Sequence, residues 1–107
     1  MTTAPRLLIA GGTVVTAAGS TAADVLCEDG RIAALLEPGQ QVAADERLDA
    51  SGLLVFPGFI DPHVHSRDPG ITEKEDFAHS TLGALAGGLT TIFDMPNSAP
   101  PVADVAT

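Results

Sequence analysis

Short apolar stretches separated by turn residues fill the first half of the chain, a pattern that is typical of β-strands. The clearest joint is Asp29-Gly30, because a two-residue Asp-Gly loop supplies the positive φ angles that a tight hairpin requires. Gly11-Gly12 and Ala18-Gly19-Ser20 mark two further turns. We therefore predict a small β-domain of sandwich type, with strands at residues 6–10, 13–17, 23–28 and 31–36.

The pattern changes at Pro57-Gly58. Residues 37–50 are polar, and a brief apolar run at residues 53–56 ends at this dipeptide. We place a domain boundary here, with the β-domain at residues 1–56 and a second domain starting at residue 57. The second domain is predicted to contain a strand at residues 59–65, a polar loop at 66–76, a helix at 77–86 and a strand at 89–94.

The helix is indicated by Phe77, Leu82, Leu85 and Ala86, which fall near one face at the helical period. Acidic residues precede it, where negative charge suits the helix dipole, and Gly87-Gly88 ends it. Two apolar strands joined by a helix form a βαβ unit, in which the strands run parallel. The predicted fold class is therefore α/β.

A lone βαβ unit leaves strand edges unpaired and apolar surface in contact with water. We therefore expect this chain to be the front part of a longer protein. The positions expected to stay partly exposed within it are Phe59, Ile60, Ile92 and Phe93.

Charge and composition exclude some partners. The chain carries 14 Asp or Glu against 5 Lys or Arg, a net charge of −9, so it would repel a phosphate backbone or an anionic membrane surface. No apolar run is long enough to cross a bilayer, and the N-terminal region does not read as a signal peptide, so we expect a cytoplasmic protein. The one cysteine, Cys27, lies in a strand pattern and is expected to be a buried thiol.

His63-Val64-His65 is the most informative spacing in the sequence. Residues i and i+2 of a strand point to the same face, so the two imidazoles could converge on one metal ion, and imidazole is a good zinc ligand. The alternative is a pair of surface or structural histidines. Asp61 shares their face and could accept a ring N–H, or it could be a turn residue before Pro62. His79 falls in the predicted helix, where a surface or packing role is expected.

Polar residues also follow both predicted strands of the second domain. Adjacent parallel strands end on the same side of a sheet, so Arg67 and Asn97 could face one pocket. Arginine offers a planar fork of donors that matches a carboxylate, and asparagine adds an amide donor. The alternatives are a solvated loop charge for Arg67 and a turn residue beside Pro96 for Asn97.

Taken together, these motifs resemble those of the cyclic amidohydrolases, and among them the dihydroorotases. The first half is similar to the small β-domain that precedes the barrel in such enzymes, so the resemblance covers the whole chain. Most specific is the order of His-x-His-x-Arg and Asp-Met-Pro-Asn. The matching segments of the second domain are Pro57 to His65, Arg67-Asp68-Pro69-Gly70, Lys74-Glu75-Asp76, Ala86 to Thr91 and Asp94-Met95-Pro96-Asn97.

The resemblance implies a metal-dependent (β/α)₈ TIM barrel, of which this chain holds the first βαβ unit. It implies a zinc centre of one or two ions with His63 and His65 as ligands, and a substrate carboxylate held by Arg67 and Asn97. The implied reaction is the reversible cyclisation of N-carbamoyl-L-aspartate to L-dihydroorotate in pyrimidine synthesis. A small-molecule substrate is expected, together with a homodimer or a complex with aspartate transcarbamoylase.

Two departures from the family pattern qualify this resemblance. Ser66 stands where dihydroorotases usually have Leu, and its side chain is expected to point away from the metal. The bridging Lys, two further His and the catalytic Asp of the family come from later strands, so this chain is expected to contain no catalytic residue and to be inactive alone. The alternatives are an allantoinase or hydantoinase, whose substrates lack the ring carboxylate, and an inactive partner of aspartate transcarbamoylase.

Overall fold

The computed structural model describes residues 5–102 and residue 104. The chain forms two compact units that divide between Pro57 and Gly58, called here the N-terminal unit and the C-terminal unit. The strands of the N-terminal unit are β1 (Leu7–Ala10), β2 (Thr13–Thr16), β3 (Gly19–Ala22), β4 (Asp24–Glu28), β5 (Arg31–Leu36), β6 (Glu46–Asp49) and β7 (Leu54–Val55). Those of the C-terminal unit are β8 (Phe59–Val64) and β9 (Leu89–Asp94), with helix α1 (Phe77–Ala86) between them.

The N-terminal unit contains two mixed sheets. One has the strand order β5-β4-β1-β6 and the other β3-β2-β7. The β4–β5 hairpin turns at Asp29-Gly30, whose φ angles of 49° and 72° confirm the positive-φ turn predicted from this dipeptide. The first sheet also pairs β1 with β6 in parallel, and the second pairs β2 with β7 in parallel.

Both sheets contribute to one apolar core. Val14 from β2 and Val25 from β4 are buried in the same cluster, and the half-buried Val55 of β7 packs against it. Leu8 of β1 is completely buried. Cys27 packs against the cluster but is only half-buried, so the expectation of a buried thiol was wrong in degree. Strand β4 is central in its sheet, but Cys27 lies near the end of the β4–β5 hairpin, so its side chain stays partly exposed.

Two strands of this unit were not predicted, apart from the two-residue β7 within the apolar run at residues 53–56. The sequence predicts a turn at Ala18-Gly19-Ser20, but the turn lies at residues 17–18 and Gly19–Ala22 pairs with β2 as β3. The sequence predicts a polar connection over residues 37–50, but Glu46–Asp49 pairs with β1 as β6. All side chains of both strands are exposed, so backbone pairing forms them and no apolar alternation marks them.

The C-terminal unit is the predicted strand, helix, strand arrangement. Strands β8 and β9 are parallel, and their carboxyl ends meet where Val64 lies opposite Asp94. The predicted bounds of α1 and β9 are confirmed, whereas β8 ends at Val64, so His65 lies just beyond it. The structure thus shows one βαβ unit and an N-terminal unit of mixed sheets.

Hydrogen bonds from backbone N–H groups to two acidic side chains fix the start of α1. Asp76 is the N-cap, and its Oδ1 accepts a hydrogen bond of 2.8 Å from the backbone N–H of His79. The Asp68 carboxylate accepts one of 3.1 Å from the N–H of Phe77. At the other end, the N–H of Gly87 donates to carbonyls of the last turn. These caps explain why the helix bounds could be predicted.

The predicted apolar face of α1 is not the face that this chain buries. Phe77, Leu82 and Leu85 are exposed, and the most buried helical residue is Ser80. The half-buried Thr81 and Ala84 instead line a small cavity together with residues of β9. The large side chains of the sheet are similarly open, since Phe59, Ile60 and Phe93 are each more than half exposed. This exposure was predicted; Ile92 is half-buried.

No helix within the described part of the chain is long and apolar enough to cross a membrane.

Candidate functional site

The carboxyl ends of β8 and β9 are joined by hydrogen bonds from Ser66. Its backbone N–H donates to Asp94 Oδ1 at 2.9 Å, and its hydroxyl donates to Asp94 Oδ2 at 2.5 Å. One residue further along, the N–H of Met95 donates to the Val64 carbonyl at 2.8 Å. Ser66 is completely buried. The two strand ends are therefore held in a fixed position relative to each other.

The environment of Asp94 favours its charged form. Partial burial acts to raise the pKa of this carboxyl group, but the two hydrogen bonds from Ser66, the N–H of Met95 and the nearby His65 outweigh it. The net result is an Asp94 pKa below its usual value. A carboxylate that accepts hydrogen bonds on both oxygens is thus fixed beside the histidine pair.

The loops that follow the two strands are also hydrogen-bonded to each other. The N–H of Ala99 donates to the Pro69 carbonyl at 3.0 Å, and Gly70 approaches Ala99 so closely that a Cβ atom at position 70 would clash with the Ala99 carbonyl. Gly70 also has a φ of 93°, which an L side chain rarely adopts. Glycine at this position permits the close contact between the loops that carry Arg67 and Asn97.

Arg67 has a left-handed backbone, with a φ of 66°. Its carbonyl accepts a hydrogen bond of 3.0 Å from the N–H of Ile71, which closes the turn. The side chain is half-buried, and within the described residues no hydrogen bond or ion pair engages its guanidinium group. The fork of donors is therefore available to an anion.

The rings of His63 and His65 are close enough to share one metal ion. Their centroids lie 5.1 Å apart, with the ring planes at 73°. Two imidazoles that bind one tetrahedral zinc ion through bonds of about 2.0–2.1 Å have centroids about 5 Å apart. The donor type and the ring separation therefore fit a zinc ion. No group of three or more potential ligands occurs within residues 5–102 or at residue 104, so these two rings would be only part of a ligand set.

The structure brings Asn97 directly against His65. Asn97 Oδ1 and His65 Nδ1 are 2.9 Å apart, within hydrogen-bonding distance. The N–H of Asn97 also donates to the Met95 carbonyl at 2.8 Å, so the residue is tied back to the end of β9. Sequence reasoning placed Asn97 beside Arg67 and missed its contact with the histidine.

Asp61 and His79 occupy simpler positions. Asp61 Oδ1 accepts a hydrogen bond of 3.0 Å from the backbone N–H of His63, the turn-type contact that was one of its two predicted roles. His79 is on α1, and its Nδ1 lies 2.7 Å from Asp76 Oδ1. Its ring is mostly exposed, in agreement with the predicted surface role.

Ser66 makes a contact that was not predicted, since its side chain was expected only to point away from the metal. Strand β8 ends at Val64 and the following residues turn. The buried Ser66 hydroxyl consequently contacts Asp94. The sequence contains a signal for the contact between Ser66 and Asp94. A small hydroxyl residue stands in place of the usual Leu, and an acidic residue lies at the end of the next strand.

Comparisons with known proteins show the family of this chain. The model of the amidohydrolase family matches residues 54–107. A dihydroorotase from Citrifermentans bemidjiense is 49% identical over 100 residues, which cover 89% of this chain and 23% of that protein. An allantoinase from Solibacter usitatus is 46% identical over 101 residues, 92% of this chain and 21% of that protein.

A solved structure matches the fold. The L-hydantoinase (dihydropyrimidinase) from Arthrobacter aurescens superposes with a TM-score of 0.86 at 34% identity, over 94% of this chain and 22% of that one. The chain therefore belongs to the amidohydrolase family. Its relatives include several dihydroorotases that are 44–52% identical to it, and it spans less than a quarter of the length of these proteins.

Proposed function

We propose that the whole protein is a zinc-dependent dihydroorotase, to which this chain contributes one edge of the active site. The observation that carries the proposal is the hydrogen bond between the loop that carries Arg67 and the loop that carries Asn97, whose side chain contacts the His65 ring. A carboxylate-binding group beside a metal-binding pair suits a cyclic amide that also carries a carboxylate.

His63 and His65 would hold the metal ion in this proposal. When bound, zinc lowers the pKa of a water molecule and polarises a carbonyl group, which is the chemistry that opening a cyclic amide requires. Asp94 and Ser66 fix the strand end from which the histidines project. The remaining ligands and the catalytic base would come from later strands of a (β/α)₈ barrel, in line with the known position of sites at the carboxyl ends of barrel strands.

Arg67 and Asn97 would orient the substrate. The Arg67 guanidinium can donate two parallel hydrogen bonds to the substrate carboxylate, and the Asn97 NH₂ group can donate another. Water would add across the ring amide of L-dihydroorotate, breaking the C–N bond to give N-carbamoyl-L-aspartate, and the reverse reaction would release that water. The carboxylate that Arg67 would hold is the one that L-dihydroorotate already carries. Hydrolysis of the ring amide produces a second carboxylate.

A second candidate is hydrolysis of allantoin or a hydantoin, and it is favoured by the allantoinase and L-hydantoinase similarities. The two candidates differ in whether the substrate has a ring carboxylate for Arg67 to bind. An inactive partner of aspartate transcarbamoylase is a third candidate, and it differs from both because it would show no turnover. A homodimer or such a complex would be compatible with the first candidate as well.

The test is to compare the hydrolysis of dihydroorotate, hydantoin and allantoin by the full-length protein, by Arg67→Lys and by Arg67→Met. Dihydroorotate should be preferred by the wild type. A charge-assisted carboxylate contact is worth about 1.5–3 kcal/mol, so Arg67→Met should lower kcat/KM for dihydroorotate roughly 10- to 150-fold. Arg67→Lys should lower it less, because it keeps the charge but loses the two-point contact.

Lys74→Met is the matched control, because it removes an exposed positive charge from the same loop and should leave kcat/KM unchanged. Zinc content should stay constant in all three variants, since neither residue is a ligand. A wild type that prefers hydantoin or allantoin would contradict the proposal. So would an Arg67→Met protein that turns over dihydroorotate at the wild-type rate.

A further inference from the structure

The amide of Asn97 presents two chemically different ends at the site. Its oxygen can only accept hydrogen bonds, and its NH₂ group can only donate them. The oxygen is the end that faces His65, with Oδ1 2.9 Å from Nδ1. The NH₂ end is thereby left for another partner.

With Oδ1 towards the ring, this contact favours one tautomer of His65. Because a carbonyl oxygen has no hydrogen to donate, Nδ1 must be the donor and must be protonated. A neutral imidazole has one N–H and one lone pair, so the lone pair lies on Nε2. Nε2 is then the nitrogen with which His65 can bind a metal ion.

The position of Asn97 is itself fixed by the backbone. Its N–H donates to the Met95 carbonyl at 2.8 Å, and the Met95 N–H donates to the Val64 carbonyl at 2.8 Å. Two short hydrogen bonds thus connect Asn97 to the strand residue that directly precedes His65. Asp94, the other polar group near this ring, accepts hydrogen bonds from Ser66 on both oxygens.

We propose that Asn97 is a positioning residue for the metal centre, with an amide oxygen that holds His65 in the Nδ1–H tautomer and an NH₂ group that remains directed to the substrate. This inference rests on the proposed function, because it assigns a second role to a residue of the same site. It links metal binding and substrate binding through one side chain. Partners that orient a metal-bound histidine typically contribute 10- to 100-fold to metal affinity.

Two substitutions separate the two ends of the amide. Asn97→Asp keeps an oxygen acceptor for His65 but replaces the NH₂ donor with a second negatively charged oxygen. Asn97→Leu has a similar size and removes both ends. We expect Asn97→Leu to bind Zn²⁺ about 10- to 100-fold more weakly than the wild type, and Asn97→Asp to bind it at least as tightly.

Zn²⁺ affinity is measured on the metal-depleted full-length protein by competition with a chromophoric chelator. Ser98→Ala is the matched control, since it alters the neighbouring side chain, whose hydroxyl bonds to the Pro100 carbonyl, and should leave the affinity unchanged. Circular dichroism establishes that each variant is folded. Wild-type Zn²⁺ affinity in folded Asn97→Leu would overturn the inference, and so would an equal loss in Asn97→Leu and Asn97→Asp.

A spectroscopic measurement tests the inference without any variant. Long-range ¹H–¹⁵N NMR spectra of the metal-free, ¹⁵N-histidine-labelled wild type at neutral pH should show His65 with a protonated Nδ1 and an unprotonated Nε2. The opposite tautomer would overturn the inference even if the Asn97 variants failed to fold.

The test of substrate specificity and the tests of the positioning role can fail independently of each other. If the protein prefers a substrate without a carboxylate, the proposed function fails. The zinc affinities and the His65 tautomer would still confirm or refute the positioning role. If both proposals hold, Asn97→Asp should raise KM for dihydroorotate while its Zn²⁺ affinity is preserved.

Discussion

In the N-terminal unit the buried side chains are mostly apolar, whereas within the described residues of the C-terminal unit the buried ones are Ser66 and Ser80. The N-terminal unit has a core to which residues of both sheets contribute. The C-terminal unit exposes the large apolar side chains of its helix and sheet and is held at its strand ends by hydrogen bonds. The first unit therefore contains its own hydrophobic stabilisation, and the second contains the candidate chemistry.

This difference shows that the site and the apolar packing of its strands are separate features of the chain. The polar contacts that position His65 and Asn97 are local to β8, β9 and the loops that follow them. Large apolar side chains of the same strands stay exposed among the described residues, including Ile60 and Phe93. We infer that the geometry of the site and the stability of its scaffold depend on different parts of the protein.

The strongest test of this division removes both metal-binding candidates at once. His63→Ala/His65→Ala in the full-length protein should abolish zinc binding and turnover together, because the two rings are close enough to hold one ion. The thermal unfolding of the N-terminal unit should not change. His79→Ala, which removes an exposed imidazole on α1, should keep its zinc. Wild-type zinc content in the folded double variant, measured by elemental analysis, would refute the assignment.

The second test compares two identical changes in different surroundings. Leu8 is completely buried in β1, and Leu82 is 64% exposed on α1. Leu8→Ala should lower the free energy of unfolding by about 2–5 kcal/mol, whereas Leu82→Ala should change it by less than about 0.5 kcal/mol. Hydrogen exchange of the 107-residue chain measures this effect. Exchange in β1 and β4 should become faster in Leu8→Ala and should not change in Leu82→Ala. Equal effects of the two substitutions would contradict the contrast between the units.

The sequence predicts those elements whose signals are local. The ends of α1 coincide with Asp76 and Gly87, which act as caps, and the Asp29-Gly30 hairpin depends on the turn residues themselves. Strand β6 escaped prediction because its side chains are exposed and it is formed by pairing with β1, about 40 positions earlier in the chain. The buried face of α1 was also mistaken, since the helix packs on β9 through small residues while its large ones stay open.

The sequence predicts which residues lie at the two strand ends but not the contacts between their side chains. Two histidines in strand spacing, with Arg67 and Asn97 after the strand ends, mark the two loops that hydrogen-bond to each other. The hydrogen bond between His65 and Asn97 depends on how two loops fold back on each other, and the spacing of residues does not encode this. The contact of Ser66 with Asp94 likewise depends on where β8 ends and on the left-handed backbone of Arg67.

A third test uses the buried acid of the N-terminal unit. Asp24 is 2% exposed and accepts hydrogen bonds from the N–H groups of Gly11 and Gly39, which lower its pKa in the folded state. A lowered pKa stabilises the fold above the unfolded value of about 4, and this contribution is lost as the pH falls through the folded pKa. Wild-type stability should therefore decline in acid.

Asp24→Asn should be less stable than the wild type at pH 7 and should show a shallower decline in acid, as measured by urea unfolding across that pH range. The amide cannot accept both hydrogen bonds as a carboxylate does. Asp29→Asn, an exposed change in the hairpin turn, should match the wild type at neutral pH. An acid decline of unchanged steepness in Asp24→Asn would show that other groups control the pH dependence.

The smallest expected effect concerns Ser66→Ala in the C-terminal unit. The substitution removes the hydroxyl that donates to Asp94 but keeps the backbone N–H donor, so Ser66 loses one of its two contacts with Asp94. Because Asp94 remains in contact with water, the loss should be about 1 kcal/mol of stability.

The pKa of Asp94 should rise, since the hydroxyl is one of the groups that lower it. NMR titration of the Asp94 carboxyl group measures this rise directly, and Ser80→Ala, which removes the other buried serine hydroxyl, should leave the titration unchanged. An Asp94 titration in Ser66→Ala that matches the wild type would mean that the hydroxyl contact does not hold the two strand ends together.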